Sequence, residues 1–115
     1  MKKVELETAP QTVRAFISHM EKTNGFYLYD SDSSDPYLFL NSYWVARGES
    51  ATVFTDVTAE VQDNALIIHV SDRQTRDYTG VSNNKLLYRI KVGKAYDTIR
   101  LFRNSEHTAF TTIGS

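Results

Sequence analysis

Apolar residues recur with helical spacing in only one stretch of the chain. Val13, Phe16, Ile17 and Met20 fall at i, i+3, i+4 and i+7, which places them on one side of a helix. Ahead of them, Thr8-Ala9-Pro10-Gln11 has the form of a capping box. Pro10 suits a first turn, where N–H groups lack intrahelical partners. Asn24-Gly25 supplies a left-handed stop. The pattern predicts a helix over about 9–23.

Beyond Gly25 the period becomes two. Phe26–Tyr29 and Tyr37–Leu40 are short and aromatic, and Tyr43–Ala46 continues the second after Asn41-Ser42. Ala51–Val61 alternates, with Val53, Thr55, Val57, Ala59 and Val61 on one face. Gln62-Asp63-Asn64 turns it into Ala65–Val70, a hairpin. Ser71–Lys85 then runs fifteen residues with only Tyr78 and Val81 as sizeable apolar groups, and reads as a long polar loop. Leu86–Val92, Thr98–Phe102 and Thr108–Ile113 follow as strands, separated by turns at Gly93-Lys94 and Arg103–His107. The expectation is a mainly β fold, an antiparallel β-sandwich or curved sheet of about seven strands over 26–113, with one N-terminal helix on a face or edge. Its expected core is Val13, Phe16, Ile17, Met20, Val53, Val57, Leu66, Ile68, Leu87, Ile90, Ile99 and Leu101.

Length and composition narrow the classes. A chain of 115 residues suits a single domain, 1–115. With 41% hydrophobic and 23% charged residues it has globular rather than disordered usage. The absence of cysteine excludes disulfides, thiol catalysis and Cys-ligated metals. No apolar run reaches the roughly 18–20 residues of a membrane span, and no apolar signal core follows Met1-Lys2-Lys3. The cytoplasm is the default compartment, with secretion open if the chain is a processed fragment. A net charge of −1 argues against a nucleic-acid partner. The charge is uneven: residues 1–63 carry five Lys/Arg against ten Asp/Glu, and 64–115 carry eight against four. Solvated faces of opposite sign explain that, as would a steered partner surface.

Catalytic chemistry finds little footing. His19, His69 and His107 are far apart, and no H-x-x-x-H pair forms a ready metal site. No serine lies in G-x-S-x-G, and no phosphate-binding glycine loop is present. No cofactor is implied. Asp30, Asp32 and Ser34 fit the first, third and fifth positions of a calcium loop. Asp35 stands where Gly is needed, however, and Asn41 where a bidentate Glu is needed. An acidic turn is the plain reading, and a weak calcium site the other. Half of the aromatics lie between Phe26 and Trp44. They read as core and cross-strand packing, or as a concave small-ligand or glycan site lined by Tyr27, Tyr29, Tyr37 and Trp44.

The order of parts carries a resemblance. A helix precedes Asn24-Gly25-Phe26-Tyr27-Leu28-Tyr29. A polar turn leads to Tyr37-Leu38-Phe39-Leu40, then a loop with Gly48, an alternating strand and the hairpin Val61–Val70. A long polar loop and the strand Leu86–Val92 complete it. This layout, over about 24–103, resembles the C-terminal domain of the bacterial protease-complex subunit family. That family is in turn similar to the immunoglobulin-like inhibitors of papain-type cysteine proteases. The family's Thr-Gly-Gly-Tyr turn falls near Arg47-Gly48-Glu49-Ser50-Ala51-Thr52, where only Gly48 matches. The resemblance implies an immunoglobulin-like sandwich that contacts a protease or protease complex.

The first functional expectation is therefore a non-enzymatic protein-binding or regulatory module. It would present loops 47–52 and 71–85 from the same end, with Arg73, Arg76, Asp77 and Tyr78 in one and Arg47 and Glu49 in the other. The alternatives are the aromatic ligand site and a structural component of a larger assembly.

Overall fold

A computed structural model describes residues 2–30, 35–42, 48–76, 85–91 and 96–114. Strand β1 (Lys2–Val4) leads through a 3-10 turn, Leu6–Thr8, to helix α1 (Gln11–Met20). Then come β2 (Gly25–Tyr29), β3 (Tyr37–Asn41), β4 (Ala51–Gln62), β5 (Ala65–Thr75) and β6 (Lys85–Arg89). The last strands are β7 (Thr98–Arg103), β8 (Glu106–Thr108) and β9 (Thr112–Gly114). They form a five-stranded sheet, β1-β6-β3-β2-β9, and a four-stranded sheet, β4-β5-β7-β8.

Three layers follow from the pattern of apolar residues. Leu28, Leu38, Leu40 and Leu86 of the first sheet meet Leu66, Ile68, Val70 and Leu101 of the second. On the other face of the first sheet, Tyr27, Tyr37, Phe39 and Leu87 lie beneath Val13 and Ile17 of α1. All five positions of β3 are buried, because it is central and covered on both sides. This explains a continuous apolar run where a one-sided strand would alternate. The fold is a mainly β sandwich with one N-terminal helix, as the sequence predicts.

Several details differ from the expectation. Among the described residues there are nine strands, and β2–β9 and β5–β7 pair in parallel. The stretch Thr108–Ile113 is not one strand: β8 ends in the second sheet and β9 joins the first. Helix α1 covers Gln11–Met20 rather than 9–23, and the capping box does not form. Pro10 is the N-cap, and the Thr8 hydroxyl instead donates to the Glu5 carbonyl within the 3-10 turn. Nor is Asn24-Gly25 a left-handed stop. Gly25 opens β2, where a Cβ would collide with the Thr111 side chain. That close approach lets Thr111 Oγ1 accept the Phe26 N–H at 3.2 Å, while the Thr111 N–H donates to the Phe26 carbonyl.

The alternation along β4 is also interrupted. Phe54 pairs with Asp72 and Asp56 with Ser71, which leaves Thr55 as the extra residue of a bulge. The bulge shifts the face by one, so Phe54 rather than Val53 joins the core, together with Val57, Ala59 and Val61. The expected hairpin does form. Asp63 and Asn64, at φ 52° and 64°, make its two-residue turn. Finally, Ser71–Thr75 belongs to β5 and Lys85 to β6, so most of the supposed long loop is strand or lies outside the described residues. Tyr43–Ala46 and Gly93-Lys94 also lie outside them.

Candidate functional site

Strand register decides which loops share an end. Ala51 pairs with Thr75, and Asn41 pairs with Lys85. The chain leaves β3 and enters β4 at this end, and leaves β5 and enters β6 there too. Of the four connections that cross between the sheets, these two thus start and end together. The Ser42 hydroxyl donates to the Thr52 carbonyl at 2.9 Å and ties the two sheets at this point. Gly48, at φ 85°, and Glu49 are exposed here, as are Arg73, Gln74 and Arg76. The described residues that flank the two expected loops lie at one end, and Ala51–Thr52 and Ser71–Thr75 within them are strand.

The support beneath this end is polar and ordered. Arg103 Nε donates to Asp72 Oδ2 at 2.7 Å, and Asn104 Nδ2 donates to Asp72 Oδ1 at 3.2 Å. In return the Asp72 N–H donates to Asn104 Oδ1 at 2.9 Å, and the Asn104 N–H to the Val70 carbonyl at 2.9 Å. The Asp72 side chain is only 3% exposed. The Arg103 guanidinium also lies 5.4 Å from the centre of the Phe26 ring. These contacts extend β5 past the parallel ladder it shares with β7, which ends at Val70–Arg103. They hold Arg73 on an exposed but fixed backbone. The sequence pattern places a turn at Arg103–His107, which Asn104-Ser105 forms at φ 50° and 70°, but assigns Asp72, Arg103 and Asn104 no part in the site.

The other candidates are placed differently. Arg47, Trp44, Asp77 and Tyr78 lie outside the described residues. Tyr27 and Tyr37 are 1% and 8% exposed, packed beneath α1. The helix occupies the place where an aromatic concavity would open, which corrects the ligand-site expectation for these two rings. Tyr29 is half-buried against Phe16, with ring centres 5.3 Å apart. The Tyr27 hydroxyl donates to the Thr23 carbonyl at 2.6 Å, and burial raises its pKa. Of the acidic turn, Asp30 accepts the Tyr96 hydroxyl and Asp35 pairs with Arg89, both at about 3 Å. Among the described residues, no three His, Cys, Asp or Glu side chains gather to hold a metal.

His69 and His107 do approach one residue, but it is Phe102. His69 stacks on that ring at 5.2 Å and His107 meets it edge-on at 5.5 Å. Both histidines are exposed on the outer face of the four-stranded sheet. His19 is exposed on α1.

Two clefts flank β1. One of about 470 Å³ lies on the helix side, between Lys2, Lys3, Glu5, Pro10, Tyr37 and Arg89. The other, about 270 Å³, opens between the sheets, with Lys3, Leu86 and Tyr88 facing Phe54–Val57 of β4. Burial raises the Tyr88 pKa, and the negative charge of Asp56 raises it further. No helix among the described residues is long and apolar enough to cross a membrane. Comparison of the chain with family models, with curated proteins and with solved structures finds no match.

Proposed function

We propose that this protein is a non-enzymatic binding module that presents the crossover end of its sandwich to another protein. The observation that supports this most directly is the convergence of two of the four sheet-crossing connections, β3 to β4 and β5 to β6, set by the Ala51–Thr75 and Asn41–Lys85 pairings. Exposed Arg73, Arg76 and Glu49 stand there on a backbone braced by Asp72, Arg103 and Asn104. Arginine combines contact area with directed hydrogen bonds, the properties that dominate interface hot spots. The resemblance in layout makes a protease or protease complex the partner class to try first.

The test is affinity capture from the native host followed by titration of the recovered partner. Arg73→Ala with Arg76→Ala should weaken binding by about 2 kcal/mol or more, while Gln62→Ala at the opposite hairpin tip leaves it unchanged. Equal affinity in both variants would remove the crossover end from consideration.

A further inference from the structure

Strand β4 is the long free edge of the sandwich. It runs Ala51–Gln62, whereas the other outer strands, β1, β8 and β9, have three residues each. No described residue pairs with its far side beyond Thr52, whose carbonyl is taken by Ser42. After the bulge at Thr55, Asp56–Gln62 is a regular ladder against β5. Its backbone therefore offers a row of donors and acceptors to an added strand.

The two faces of this edge are unlike. Val57, Ala59 and Val61 pack against the core but stay half-buried, whereas Leu66, Ile68 and Val70 of the next strand are fully buried. Among the described residues the core is thus less covered along β4, and the 270 Å³ cleft, lined by Asp56 and Lys3 among others, opens beside it. On the solvent face, Asp56, Thr58, Glu60 and Gln62 are exposed. The β5 residues paired with the two acids are Ser71 and Ile67, which bring no positive charge. Neither acid forms an ion pair among the described residues. β4 contains no Lys or Arg, so a second β4 placed alongside would add acids to acids.

We propose that β4 binds an extended basic segment of a partner by strand addition, with Lys or Arg opposite Asp56 and Glu60 and apolar side chains over Val57 and Ala59. This surface adjoins Arg73, which pairs with Val53, but is tested by substitutions at Asp56 and Glu60 rather than at Arg73 and Arg76, so the two readings can fail separately. The bulge and the carboxylates also guard the edge against indiscriminate pairing. They do so without blocking the backbone of the regular stretch, and they select for charge.

The experiment uses labelled synthetic peptides of about eight residues, an ordinary strand length, with alternating Lys and Val or alternating Glu and Val. Fluorescence anisotropy should show the Lys peptide binding about tenfold more tightly than the Glu peptide, within reach of two cross-strand charge pairs. N-methylation of alternate amides in the Lys peptide should abolish binding, and its unmodified form should slow amide exchange in Asp56–Gln62. Asp56→Lys with Glu60→Lys should reverse the preference, and Asp56→Asn with Glu60→Gln should erase it. The wild-type chain should sediment as a monomer at the concentrations used. Equal or absent binding of the two peptides overturns the proposal. So does exchange protection confined to another strand, or a dimer that already occupies β4.

Discussion

The side-chain nitrogen of Asn41 lies 3.1 Å from both the Glu21 and the Thr23 carbonyl oxygens, just past the end of α1. The residue is 1% exposed, so water cannot replace those contacts. A strand residue thus satisfies the carbonyls that a left-handed glycine cap would otherwise have relieved. Asn41→Ala should cost about 1–3 kcal/mol in urea unfolding, because the Glu21 carbonyl loses this donor and the buried Asn41 loses its contacts, while the Thr23 carbonyl keeps the Tyr27 hydroxyl. The tyrosines give a second residue-scale effect. Burial raises the pKa of Tyr27, and burial followed by the charge of Asp56 raises that of Tyr88. Both phenols therefore hold their protons more tightly in the folded than in the unfolded chain. Their contribution to stability is fully present below the ordinary phenol value near 10 and is lost as pH rises through the folded values. Unfolding midpoints measured on either side of pH 10 should fall with rising pH. Tyr88→Phe should shrink that slope, and Asp56→Asn should shrink it less, since Asp56 is the second cause.

At the scale of elements, what was legible is what local patterning controls. The stripe Val13, Phe16, Ile17 located α1, and Asp63-Asn64 located the hairpin turn. The unread parts depend on partners distant in sequence. The end of α1 is set by Asn41, and the requirement for Gly25 by Thr111. The strand character of Ser71–Thr75 is set by β4 and by the Asp72–Arg103 pair, although the segment itself is polar. That β4 starts where β5 ends followed from the hairpin. The burial of Tyr27 and Tyr37 did not, because nothing local says which face the helix covers. The bulge illustrates the limit best. Ideal alternation favours Val53, but the extra residue Thr55 brings Phe54 inward, where its ring meets Phe26 at 5.8 Å. Deleting Thr55 makes Phe54 and Val57 i, i+2 neighbours on a regular ladder, so both keep facing the core. The deletion should therefore cost well under the about 3–5 kcal/mol of removing a buried phenylalanine, and urea unfolding measures it.

Over the whole molecule, the chain order interleaves the two sheets. β1, β2 and β3 build the first, β4 and β5 the second, β6 returns to the first, β7 and β8 to the second, and β9 to the first. The described elements therefore change sheets four times. The parallel pairings bind distant segments, Tyr27 with Thr112 and Leu66 with Ile99. Cutting the chain at any crossing would leave a sheet without strands it needs, and the leucines between the sheets would lose half their neighbours. A chain threaded this way should unfold in one transition. Urea titrations followed by backbone circular dichroism and by tyrosine near-ultraviolet signals should superimpose. Leu66→Ala, which opens space between the sheets in the second one, should shift both probes equally, by about 2–5 kcal/mol. Separate midpoints, or a shift confined to one probe, would mean that the sheets fold as independent units despite their threading.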